Sequence, residues 1–91
     1  MMLWGMEKPP LTPTPRQIFG TNLRRARRLK DVSQEELAFR SNLSRTYVSE
    51  VERGIRNVSI DNMGQLSDAL GVPLKDLVDP EMFSALGSKL T

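Results

Sequence analysis

Apolar residues along the chain fall into short clusters with helical spacing, separated by polar, glycine- or proline-containing breaks. Phe19, Leu23, Ala26 and Leu29 recur at intervals of three or four, and Ile18 widens the stripe. This spacing predicts a first helix with one buried face. Thr14 suits its N-cap, Pro15 its first position, and Gln17 closes a capping box. The helix is expected to end near Lys30, with Asp31 in the turn, where an aspartate tolerates the left-handed conformation. Ser33 and Glu36 form a second capping box ahead of a short helix with Leu37 and Ala38 inward. Ser41-Asn42-Leu43-Ser44 reads as a tight polar turn. Ser44 then caps a third helix, Arg45 to Arg53, with Val48 and Val51 inward and Gly54 as the residue that stops it. Ser59 caps a fourth helix that buries Ile60, Met63, Leu66 and Leu70, with Ala69 beside them, and Gly71 ends it. Pro73 starts a short fifth helix in which Leu74, Leu77 and Val78 pack, and Asp79-Pro80 breaks it.

No alternating strand pattern competes with these helices, so the predicted fold class is all-α, with five short helices between Thr14 and Val78. Four of the six prolines lie in residues 9–15, which predicts an extended segment. The expected organisation is therefore a Pro-rich arm over 1–14, a domain over 15–78 and a tail over 79–91. Leu3 and Trp4 of the arm are apolar enough to pack on the domain or on a second subunit. In the tail, Met82, Phe83, Leu86 and Leu90 have the spacing of one or two further amphipathic turns. Gly64 costs its helix about 1 kcal/mol relative to alanine. Its expected role is to let another helix approach, within the domain or across a dimer interface.

Composition narrows the function. A chain of 91 residues has room for one domain with a modest core. It has no cysteine, which excludes disulfides and thiolate metal sites and fits the cytoplasm. It has no histidine either, so the commonest general base and zinc ligand are missing. No Gly-rich phosphate loop, metal-spaced cluster or catalytic motif is present. The chain is expected to be neither an enzyme nor a cofactor or metal binder. No apolar run approaches the ~20 residues of a membrane span, and the apolar part of the N-terminus is too short for a signal peptide.

The net charge of +2 hides an asymmetry. Residues 16–56 carry ten basic and five acidic side chains, whereas residues 57–91 carry two basic and five acidic ones. A basic, arginine-rich front half either forms a solvated helix face or meets a polyanion. Two short helices joined by a tight turn, the second opening on polar and basic residues, have the form of a helix-turn-helix. A helix of that kind fits the major groove of DNA and brings its first residues to base edges.

Ser33-Gln34-Glu35-Glu36-Leu37-Ala38, followed by Ser44-Arg45-Thr46-Tyr47-Val48-Ser49-Glu50-Val51-Glu52-Arg53-Gly54, resembles the phage-repressor and Cro-like helix-turn-helix family. Ser59-Ile60, Leu66 and Ala69-Leu70-Gly71-Val72-Pro73-Leu74 resemble its later helices, so the likeness covers about residues 16–78. Ser41 to Tyr47, with Glu52-Arg53 and Arg56-Asn57, further resembles the controller proteins of restriction–modification systems. The resemblance implies a five-helix, phage-repressor-like domain that binds double-stranded DNA and regulates transcription. It implies that Gln34 contacts backbone phosphate and braces the recognition helix. Ser44, Arg45 and Thr46 open that helix, where arginine pairs with guanine and threonine offers a hydroxyl and a methyl. Ser49 and Glu50 follow on its exposed face. Tyr47 either joins them or packs against the domain. Arg53 and Arg56 are placed for phosphate or, for Arg56, a base edge. Glu52 is implied to form a structural ion pair with Arg27. Arg24, Arg25 and Arg28 are left for solvent or phosphate, and Arg40 for solvent.

One such module makes few contacts, so a homodimer on a palindromic operator is expected, with two half-sites about one helical turn apart. Leu77, Met82, Phe83 and Leu86 are the candidate dimer surface. A different reading makes the chain an antitoxin-type interaction module with a protein partner and autoregulatory DNA binding. The arm with Trp4 is the feature that favours it.

Overall fold

A computed structural model describes residues 13–82. Among them the chain forms five helices and no strand: α1 (Pro15–Leu29), α2 (Gln34–Ser41), α3 (Arg45–Glu52), α4 (Ile60–Leu70) and α5 (Leu74–Leu77). Phe83, Leu86 and Leu90 of the tail, and Leu3, Trp4 and most of the arm, lie outside the described residues.

Side-chain caps start four of the helices. The Thr14 hydroxyl accepts from the Gln17 amide at 3.2 Å, and the Thr14 amide donates to Gln17 Oε1 at 2.9 Å, closing the box. Ser33, Ser44 and Ser59 accept from the amides of Glu36, Tyr47 and Asn62. Each bond satisfies an amide that the first turn would otherwise leave unpaired. The second box is only half formed. Glu36 turns its carboxylate to Arg40, one turn on, at 2.9 Å rather than back to Ser33.

Left-handed residues stop the helices. Asp31 and Asn42 both have φ of 60°, and Asn42 reverses the chain between α2 and α3. After α3, Gly54 (φ 74°) donates to the Val51 carbonyl and Ile55 to that of Glu50, the paired bonds of a Schellman motif.

The core lies where all five helices meet. Phe19, Leu23 and Ala26 of α1, Leu37 and Ala38 of α2, Val48 and Val51 of α3, Leu66 and Leu70 of α4 and Leu77 of α5 are all buried. Val32, between α1 and α2, closes it. Gly20 lets α1 cross α3 at close range: a Cβ built there would overlap the Val51 carbonyl oxygen. Asn22 is buried on the same helix. Its Nδ2 donates to the carbonyls of Leu77 at 3.0 Å and Asp79 at 2.7 Å, which ties the short α5 to α1.

Several expected positions are corrected. Leu29, Ile60 and Val78 were expected inward but are 48%, 64% and 45% exposed. Each sits at a helix end. At about 100° per residue, Leu29 lies roughly 80° away from Phe19 around α1, and Ile60 is turned about as far from Leu70 around α4. Leu77 was expected on a dimer surface, but its side chain is completely enclosed in the subunit core and has nothing to offer a second chain. Among the described residues, Gly64 has no heavy atom within 4 Å of a built Cβ, so none of the five helices approaches it.

Candidate nucleic-acid interface

α3 packs one side into the core through Val48, Val51 and Glu52 and turns the other outward. Ser44, Arg45 and Thr46 at its start are exposed, as are Arg53 and Arg56 beyond its end. Ser49 and Glu50, on the middle turn, are half-buried. The outward side is thus polar throughout, with arginines at both ends.

The orientation of α3 is set by an ion pair beneath it. Arg27 Nε donates to Glu52 Oε2 at 2.6 Å and Nη2 to Oε1 at 2.9 Å, a bidentate match. Arg27 Nη1 also reaches the Val32 carbonyl at 2.8 Å. The side chains of Arg27 and Glu52 are 10% and 2% exposed. Gln34 Nε2 adds a third donor to Glu52, 3.0 Å from Oε1. One carboxylate therefore joins α1, the first residue of α2 and the last residue of α3. Gln34 is half-buried beside this pair, at the mouth of the helix-turn-helix.

A second cluster forms at the opposite edge of α3. The Tyr47 hydroxyl accepts from Asn62 Nδ2 at 3.0 Å, which links α3 to α4. The Arg56 guanidinium lies 4.7 Å from the Tyr47 ring centroid, within cation–π range. Arg56 Nη1 is also 3.5 Å from Glu50 Oε1. Tyr47 is half-buried, so it both packs on the domain and carries Arg56. Tyr47, Glu50 and Arg56 are thus gathered into one unit, while Arg45 and Thr46 are exposed at the start of the helix. Sequence reasoning missed Asn62 and Asn22. Neither sits in a recognisable motif, and their partners lie 15 and more than 50 residues away in the chain.

Among the described residues, no group of three or more acidic side chains is placed to hold a metal ion, and no helix is long and apolar enough to cross a membrane. What the site offers is a braced helix with a polar, arginine-flanked outer face.

A family model described as helix-turn-helix matches residues 23–77, the span that holds this site. The chain belongs to the helix-turn-helix family. This helix-turn-helix protein is 48% identical over 79 residues to the control protein C.BamHI of Bacillus amyloliquefaciens, covering 86% of this chain and 94% of that relative. It is 39% identical over 74 residues to the HTH-type transcriptional regulator y4dJ of Sinorhizobium fredii, covering 81% and 96%. Among solved structures, the restriction-modification controller protein C.AhdI from Aeromonas hydrophila superposes with a TM-score of 0.66 at 48% identity, over 68% of this chain and 94% of that one. The helix-turn-helix protein is a DNA-binding transcriptional regulator and not an enzyme.

Proposed function

We propose that this regulator is a controller of the restriction–modification type, acting in the cytoplasm as a homodimer on a palindromic operator upstream of its own gene. The observation that carries the reading is the braced α3, with its polar face outward, in a chain similar over most of its length to C.BamHI and C.AhdI. On this reading residues 15–78 form the DNA-binding unit. Arg45 and Thr46 read base edges, with Ser44, Ser49 and Glu50 beside them. Gln34 and Arg53 contact phosphate. Arg56 reaches the DNA from its seat on Tyr47. Residues 79–91 carry the dimer surface through Met82, which is 45% exposed, with Phe83 and Leu86.

Fluorescence anisotropy with the DNA upstream of the gene tests this, at about 150 mM salt with excess nonspecific competitor. Binding should survive the competitor, with two chains per site. Arg45→Ala should remove about 1–3 kcal/mol of preference for that site, the size of one bidentate arginine–guanine contact. Binding that the competitor abolishes would overturn the operator assignment. A single chain per site would overturn the dimer.

A further inference from the structure

A pocket of about 130 Å³ opens beside the start of α1. It is lined by Pro15, Arg16 and Phe19 of that helix, by Asn57 and Val58 of the connection between α3 and α4, and by Met63 of α4. A cavity of about 150 Å³ holds one benzene molecule, so this one has the size of a single aromatic ring. Phe19 is buried, and Val58 and Met63 are half-buried against the core. Ile60, one turn before Met63 on α4, is exposed and adds apolar surface nearby. The two polar residues of the lining, Arg16 and Asn57, are also exposed. An apolar seat with a guanidinium and an amide beside it matches an indole. The indole face attracts a cation, and its N–H needs an acceptor, which the Asn57 amide oxygen can supply.

We propose that this pocket is the seat of Trp4, so that the Pro-rich arm folds back and clasps α1 to the α3–α4 connection. The arm joins the domain at the pocket itself, because Pro15 both opens α1 and lines the cavity. Ten residues separate Trp4 from Pro15, an ordinary length for a loop whose ends meet. Leu11 has only Thr12 and Pro13 between it and the N-cap Thr14, which is fewer than a four-residue reversal takes. Thr14 itself is extended, with ψ of 163°. Leu3 has the reach, but its side chain offers nothing to Arg16 or Asn57. Charge favours the same docking. Arg16 is the one charged residue among the described lining, and Glu7, three residues after Trp4, is the one acid in residues 1–15. The clasp is independent of what α3 reads.

Trp4 reports on its own surroundings, because it is the only tryptophan of the full chain. Its fluorescence should lie to the blue of the same chain unfolded in urea, and acrylamide should quench it several-fold less. Arg16→Glu, an exposed change that repels Glu7, should move the emission to the red and restore quenching. Val58→Asp, which puts a charge in the pocket, should do the same. Circular dichroism checks the fold of each, and if Val58→Asp unfolds, Arg16→Glu alone decides. In NMR spectra, Trp4→Leu should shift the methyl resonances of Val58 and Met63, which lose the ring current. Those of Val32, beyond the far end of α1, should stay in place. An exposed, freely quenched Trp4 in the wild-type chain would overturn the proposal and leave the arm for a protein partner. Blue emission that the folded variants leave unchanged would also overturn it, since the indole would then be buried elsewhere. Unmoved Val58 and Met63 methyls would do so too. Emission that turns red on dilution, as dimers separate, would overturn the clasp within one chain and assign the pocket to the arm of a second copy.

Discussion

At Glu52, three hydrogen bonds from two side chains meet on one carboxylate that is almost completely out of water. Removing the carboxylate leaves the Arg27 guanidinium buried with the Val32 carbonyl as its remaining partner among those bonds. Losing one member of a buried pair typically costs about 3–5 kcal/mol. Glu52→Ala should therefore lower unfolding free energy by that amount in urea titrations. Glu36→Ala removes an exposed pair, with side chains about half exposed, and should cost less than about 1 kcal/mol. Similar losses for the two would mean that the buried pair does not hold the fold. The Arg27–Glu52 partnership was implied by family resemblance alone. Nothing in the spacing of residues 27 and 52 predicts it, because their approach depends on how α1 crosses α3. The third donor, Gln34, was expected to brace the helix, but its partner could not be named before the fold was known.

Between elements, two glycines with the same backbone freedom have opposite packing. Gly20 stands where a Cβ would overlap the Val51 carbonyl at the α1–α3 crossing, whereas Gly64 faces open space on α4. Gly20→Ala must push the two helices apart and should destabilise by about 1–3 kcal/mol or more, as overpacking does. Gly64→Ala should stabilise the subunit by about 1 kcal/mol through helix propensity. Differential scanning calorimetry of the two variants separates the effects. A stabilised Gly20→Ala would mean that the crossing is looser than the geometry gives. A chain that lost self-association in Gly64→Ala would place a second subunit on that face. The contrast also shows where sequence reading stops. Helix starts were legible because Thr14, Ser33, Ser44 and Ser59 act through amides three residues away. Stops were legible because Gly54 and Gly71 adopt the left-handed backbone. Both are local effects. Burial at helix ends was not legible, since Leu29, Ile60 and Val78 continue the apolar spacing but overhang the core. Leu77 was read both as packing in the fifth helix and as part of a dimer surface; its burial bears out the first reading and excludes the second, and Asn22 ties its helix to α1.

For the whole molecule, the proposed homodimer makes a geometric demand that single-residue changes do not test. A subunit with one α3 reads one half-site. Two subunits related by a two-fold axis present their α3 helices at one fixed separation, which on B-DNA is about 34–36 Å, or 10–10.5 base pairs. Inserting about five base pairs between the half-sites turns one of them to the far side of the duplex. The dimer should then bind no better than it binds a single half-site. Inserting about ten restores the face but moves the half-site another helical turn away, beyond the span of a rigid pair. Affinity should therefore fall for both insertions. Contacts to the phosphate backbone are independent of sequence, so binding at low salt should persist throughout. Recovery at ten base pairs alone would mean that the two DNA-binding units are joined by a flexible link. Indifference to both insertions would mean that each chain binds alone and that the two-fold model is wrong.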